Sequence, residues 1–324
     1  MGIYQLAPES ELKNFLSDKI SYYKQHVYGE CASYIPELKK ADPTHLSIAL
    51  LLPDGTSYTA GDCTPSFTFQ SISKVISFIA ACMHHETENV LDWVDVEPTG
   101  DSFNSILRFE LKDQTKPYNP MINAGALTVA SLLPGEGYEA KVSSVTDLLS
   151  DLLDKEVGIN EKVFSSEWET AYRNRALANF LMENQLLASG VEETLLAYIK
   201  LCSIEINALD LAKIGLILSQ DGYDPIKKQQ LIPTSIARLA KVLMFTCGMY
   251  NSSGKFAAFV GIPAKSGVSG GIMASIPPSS RNTNILSEGC GVGVYGPAID
   301  ANGNSVMGVR LLQDLVELYD LKIF

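Results

Sequence analysis

Apolar and polar positions follow two regimes along this chain. Leu46-Ser-Ile-Ala-Leu-Leu-Leu52 is a short apolar run, followed by the turn pair Asp54-Gly55 and the alternating stretch Thr56-Ser-Tyr-Thr-Ala60, a pattern that predicts a β-hairpin. Gly61-Asp-Cys-Thr-Pro65 breaks it into a loop. From Ser71 onward the period changes: Ile72, Val75, Ile76, Ile79, Ala80 and Met83 recur at helical spacing. Mostly helical patterning continues to about residue 245, punctuated at Pro117, Pro120, Pro134-Gly-Glu-Gly137 and Asp221-Gly-Tyr-Asp-Pro225, and is clearest over 145–153 and 209–218. Strand signals return at 256–262, 270–276 and 290–295, and residues 309–319 read as an amphipathic helix.

Strands at both ends enclosing a helical middle imply one antiparallel sheet built jointly by the two ends of the chain, an α+β architecture. The expected organisation is a single domain of two lobes: a sheet lobe over about 1–75 and 246–324, and an all-helical lobe over about 76–245. A ligand pocket is expected between them.

Charge narrows the partners. With 25 basic and 37 acidic residues the net charge is −12, and no basic cluster interrupts it, which argues against nucleic acid and anionic membrane. Apolar runs are too short to span a bilayer, and the first residues lack the basic start and apolar core of a secretory signal. The six cysteines are scattered without a Cys-x-x-Cys pair, as buried free thiols in a reducing cytoplasm would be. The four histidines offer no metal-ligand spacing, so neither a metal nor an organic cofactor is expected.

Ser71-Ile-Ser-Lys74 carries the candidate chemistry. A serine three residues before a lysine can share a helical face with it, and the lysine can ease deprotonation of the hydroxyl into an acylating nucleophile. The same spacing occurs at Ser10/Lys13, Ser21/Lys24 and Ser252/Lys255. Context favours Ser71, which opens a buried helix where the free N–H groups favour developing negative charge. A serine at a helix start is also a common cap, and that alternative stays open on local sequence alone. Lys265-Ser266-Gly267 is the chain's one Lys-Ser/Thr-Gly triplet. With Ser71 it makes the pairing of active serine and edge strand used by penicillin-recognising acyl-serine enzymes, in which the strand supplies an oxyanion N–H and Gly267 would let substrate approach the backbone.

Six ordered blocks then make the chain resemble the glutaminases, the serine-dependent family with a β-lactamase-like fold, and its bacterial short forms in particular. They are Gln70-Ser-Ile-Ser-Lys-Val75, 116–126, Glu167 with 174–178, 198–203, 246–250 and 264–272, and the likeness extends over roughly 22–318. It implies hydrolysis of L-glutamine, with Ser71 as nucleophile, Lys74 as its activating partner and Tyr250 as proton relay. It further implies the backbone N–H groups of Ser71 and Val268 as oxyanion hole, Asn123, Glu167, Asn174 and Tyr198 as substrate-holding residues, and a cytoplasmic homodimer or homotetramer. The chemistry agrees. Glu167 can pair with an amino acid's ammonium, while Asn123, Asn174 and Tyr198 can donate to its carboxylate. Lys74 must be partly neutral to accept a proton, and Lys265 is a candidate for the neighbouring charge that makes it so. Some relatives carry a second active-site tyrosine, expected near His45, where this chain has none. Two rival readings remain: a non-catalytic glutamine or glutamate sensor, and an acyl-serine hydrolase of β-lactams or D-Ala peptides.

Overall fold

The Asp54-Gly55 turn forms where the pattern puts it, with Gly55 at φ +87 and Asp54 Oδ1 accepting the Thr56 N–H at 2.8 Å. A computed structural model describes residues 8–100, 115–281 and 283–324. The reading of the first residues as no signal lies largely outside that range. Among the described residues the strands are β1 (Ser47–Leu51), β2 (Ser57–Ala60), β3 (Phe67–Thr68), β4 (Glu205–Ile206), β5 (Tyr223–Asp224), β6 (Gln229–Gln230), β7 (Ala264–Ser266), β8 (Gly271–Ile276) and β9 (Cys290–Tyr295).

Five of them make one antiparallel sheet in the order β2-β1-β9-β8-β7. The two ends of the chain meet at its centre, where Ile48 pairs with Ala60 on one side and Val294 on the other. The central strands carry side chains buried on both faces, which is why they read as continuous apolar runs rather than strict alternation. One face is covered by the first helix (Pro8–Lys24), through Leu12, Leu16 and Ile20, and by the last (Val306–Tyr319), through Leu311, Leu312, Leu315 and Val316. The helix Ala208–Ser219 lies on the other face. It comes so close that a Cβ at Gly291 or Gly293 would overlap the carbonyl oxygens of Ala212 and Ala208.

Beyond that helix the middle of the chain is helical. Ser73–His85 is buried from Ser73 to Cys82 and is apolar on nearly all sides, as an element enclosed by others must be. The helices Asn123–Leu132, Gly137–Leu153, Val191–Cys202 and Thr234–Cys247 pack around it or beside it. Short pairs interrupt the helices that patterning alone shows; β3 with β4 is the consequential one, because it leads into Ser71.

One expected strand is not a strand. Residues 256–262 begin within the helix Ser253–Phe259, which buries Phe256 and leaves Phe259 62% exposed. Alanine at 257 and 258 favours helix, and a short apolar run does not settle its own period. The edge strand starts two residues later, at Ala264.

Candidate functional site

Ser71 sits in a short 3₁₀ turn, Gln70–Ile72, ahead of the helix rather than on its first α-helical turn. Strand β3 delivers the chain there: the Phe69 N–H donates to Ile204 O at 2.8 Å, and Gln70 then turns into the left-handed region at φ +49. A non-glycine residue held so costs about 1–2 kcal/mol, which the surrounding packing must offset. Ser73 Oγ donates to Gln70 O at 2.7 Å and ties the turn to the helix. The turn presents Ser71, 8% exposed, to a cavity of about 910 Å³ also lined by Asn123, Glu167, Asn174, Tyr198 and Val268. The competing Ser-x-x-Lys pairs have exposed lysines at Lys13, Lys24 and Lys255, on outer surfaces.

The edge strand β7 passes directly behind this turn. The glycine of its motif, Gly267, lies against that turn. A Cβ there would meet Phe69 O at 2.9 Å and Ile72 Cγ1 at 3.3 Å, so the missing side chain makes room for the nucleophile turn itself. The Ser266 and Gly267 N–H groups are committed to Gly248 O and Gly271 O. The next N–H, that of Val268, faces the Tyr250 oxygen. Ser266 is fully buried, and its hydroxyl has no hydrogen-bond partner among the described residues.

Three proton-handling groups stand behind the cavity wall. Lys74, 2% exposed, donates through Nζ to Asn123 Oδ1 at 2.7 Å and Met121 O at 3.1 Å, and burial lowers its pKa to about 8. Lys265 is fully enclosed. Its Nζ lies 4.5 Å from the Tyr250 ring centroid and donates to Ser266 O at 2.7 Å. Burial, then the charge of Lys74, push Lys265 well below the ordinary lysine range. Enclosure thus depresses both lysines, and Lys265 feels the charge of Lys74 besides. Tyr250 is also held at a left-handed φ, +52, with its hydroxyl hydrogen-bonded to Ser71; burial raises its pKa despite that bond.

The opposite wall suits an amino acid. Asn123 is its hub: Oδ1 accepts from Lys74 and, at 3.4 Å, from the Tyr198 hydroxyl, while Nδ2 donates to Asn174 Oδ1 at 3.0 Å. Glu167, 7% exposed, is raised to about 7 by burial, opposed by the hydrogen bond from Gln70 and the charge of Lys74. Gln70 Nε2 reaches Glu167 Oε2 at 3.4 Å, so the residue that bends the chain into Ser71 also holds the carboxylate. The arrangement supplies a nucleophile, depressed lysines, a carboxylate for an ammonium, and amides for a carboxylate.

Of the expected site residues, Ser71, Asn123, Glu167, Asn174, Tyr198 and Val268 line the cavity together, while Lys74, Tyr250 and Lys265 stand behind it. No tyrosine stands at His45, as the sequence shows, but another reaches the cavity. Tyr34 lines the cavity, whereas His45 lies tilted against Tyr295, ring centroids 4.9 Å apart, and Tyr295 in turn stacks at 4.1 Å on Phe67. Tyr34 lies in a loop segment, where no periodicity guides a reading. Gln70 and Cys202 also line the cavity; each lay inside a block already singled out, without a role.

Known proteins match this chain over nearly its whole length. The family model described as Glutaminase matches residues 29–324. "Glutaminase 2" of Bacillus anthracis is 55% identical over 317 residues, covering 98% of this chain and 97% of the relative. The solved structure of a probable glutaminase from Bacillus subtilis superposes with a TM-score of 0.92 at 53% identity, covering 97% and 98% of the two chains. A covalent complex of Bacillus subtilis glutaminase with 5-oxo-L-norleucine, formed from 6-diazo-5-oxo-L-norleucine, superposes at TM-score 0.88 and 52% identity, covering 97% and 100%.

Proposed function

This chain belongs to the glutaminase family, and from that premise we propose that it converts L-glutamine and water to L-glutamate and ammonia through a glutamyl ester on Ser71. The observation that carries the assignment of residues is the single cavity in which Ser71 faces Glu167 and the Asn123–Asn174 amide pair.

Glutamine enters with its ammonium toward Glu167 and its carboxylate toward Asn174 and Tyr198, which brings the side-chain amide to Ser71. Ser71 Oγ attacks the amide carbon. Its proton passes through Tyr250 to a neutral lysine, Lys74 or Lys265. The N–H groups of Ser71 and Val268 receive the developing oxyanion. Collapse breaks the C–N bond; the nitrogen takes a proton returned through Tyr250 and departs as neutral ammonia. Water then attacks the ester, gives its proton to the same relay, and the Ser71 hydroxyl is restored as glutamate leaves.

We extend the proposal to a cytoplasmic homodimer or homotetramer, supported by the family likeness and, for the compartment, by six free thiols; light scattering reads the order. The assignment is tested by ammonia release from L-glutamine, with L-asparagine and D-glutamine as controls, in the wild type and Ser71→Ala. Turnover lost in Ser71→Ala supports both reaction and nucleophile. Glutamine binding without release from wild type would instead favour a sensor, and hydrolysis of a penicillin would favour the β-lactam rival.

A further inference from the structure

The glutamyl ester poses a traffic problem. Its amino-acid end, held by Glu167 and the Asn123–Asn174 pair, would occupy the cavity that Ser71 faces. Ammonia must leave, and water must arrive, while that group is in place. The substrate cavity is also lined by the charged side chains Glu30, Arg173 and Asp300, which favour ions over a neutral amine.

A second cavity, of about 430 Å³, meets the reaction centre from the other side. Tyr250 forms part of its wall while its hydroxyl is hydrogen-bonded to Ser71, so one side chain separates this space from the nucleophile. Met121, whose carbonyl accepts from Lys74, lines it as well. Among the described residues lining it there is no charged side chain; Asn119, Thr246 and Asn251 supply neutral polar groups. Such a lining admits water and ammonia but offers nothing to offset the desolvation of ammonium or glutamate.

We infer that this second cavity is the exchange route of the reaction, through which neutral ammonia leaves past Tyr250 and water reaches the ester. The inference rests on the glutaminase reading above. Ammonia confined beside the ester re-forms the amide by reversing the C–N cleavage, so a blocked route slows net turnover without impairing the first chemical step.

Gly254 and Ala257 line the cavity from the helix Ser253–Phe259, and a Cβ at Gly254 would have no atom within 4 Å. Gly254→Leu and Ala257→Phe, singly and together, therefore add bulk to this space from two positions outside the catalytic and substrate-holding set. Two rates are compared: kcat for L-glutamine, and covalent labelling of Ser71 by 6-diazo-5-oxo-L-norleucine. Labelling forms an O–C bond, moves the serine proton to the diazo carbon and expels dinitrogen, which cannot recapture its carbon. The expected result is kcat lowered about tenfold in the double variant, since product escape then limits turnover, with labelling and L-glutamate affinity unchanged. Unchanged kcat in a folded double variant, or equal loss of kcat and labelling, overturns the inference. A wild type that releases no ammonia fails the glutaminase reading first and separately.

Discussion

Glu167→Gln should make the protein more stable while disabling it. In the fold this carboxyl is buried and titrates at about 7 rather than at its ordinary 4.5. A raised carboxyl means that the folded state holds its proton more tightly than the unfolded chain. Stability is therefore lost as pH rises from the unfolded value through the folded one, and the penalty is complete above it. The gap corresponds to about 3 kcal/mol at pH 8, and to under about 1 kcal/mol at pH 5. Glutamine at 167 removes that charge but keeps an oxygen for Gln70 Nε2, now 3.4 Å from Oε2. For a chain of this length, about 3 kcal/mol corresponds to a rise in Tm of about 4–5 °C. Thermal unfolding of both proteins without substrate, at pH 5 and pH 8, provides the assay. A gain at pH 8 that shrinks at pH 5, with ammonia release lost, is expected. Equal Tm values at pH 8, or a variant destabilised at both pH values, would refute the view that a desolvated charge is kept there for the substrate's ammonium.

Two further outcomes concern proton transfer and packing. Activity should climb from pH 6 to above 8 as Glu167, at about 7, ionises and Lys74, at about 8, becomes neutral; Lys74→Arg, which stays charged, should lose about a thousandfold or more in kcat, and substantial retained activity would show that Lys74 accepts no proton. Gly267→Ala should cost about 1–3 kcal/mol of stability by pressing on the Ser71 turn, with kcat falling more than KM changes; a wild-type Tm and kcat in that variant would show that the turn yields freely.

The hairpin, the sheet assembled from both ends and the buried helix after Ser71 were legible because each shows its period in local sequence. Residues 256–262 were not, since Phe256 and Val260 suit a helix turn as well as a strand until the packing around them is known. Family blocks pointed to Ser71, Lys74, Glu167 and Tyr250, but no pattern in sequence states what lies behind a residue. The size of Gly267 was visible and its neighbour was not: it faces the Phe69 carbonyl, almost two hundred positions away. The place of Tyr34 and the depression of both lysines depend on enclosure, which emerges only when distant segments close over one another.

The pairing of Ile48 with Val294 also sets a timetable. During synthesis β1 and β2 emerge early, yet the strand that flanks β1 lies roughly 240 residues further on, about 12 to 50 s later at ordinary elongation rates. Until then β1 has an open apolar edge, the kind of surface that invites wrong pairing and chaperone attention. Ser71 is made in that early interval, whereas Tyr250, Lys265 and Val268 come from the last quarter of the chain. On the proposed mechanism a nascent or truncated chain thus carries the serine without the groups that would make it reactive, and the chemistry would switch on only when the molecule is almost whole.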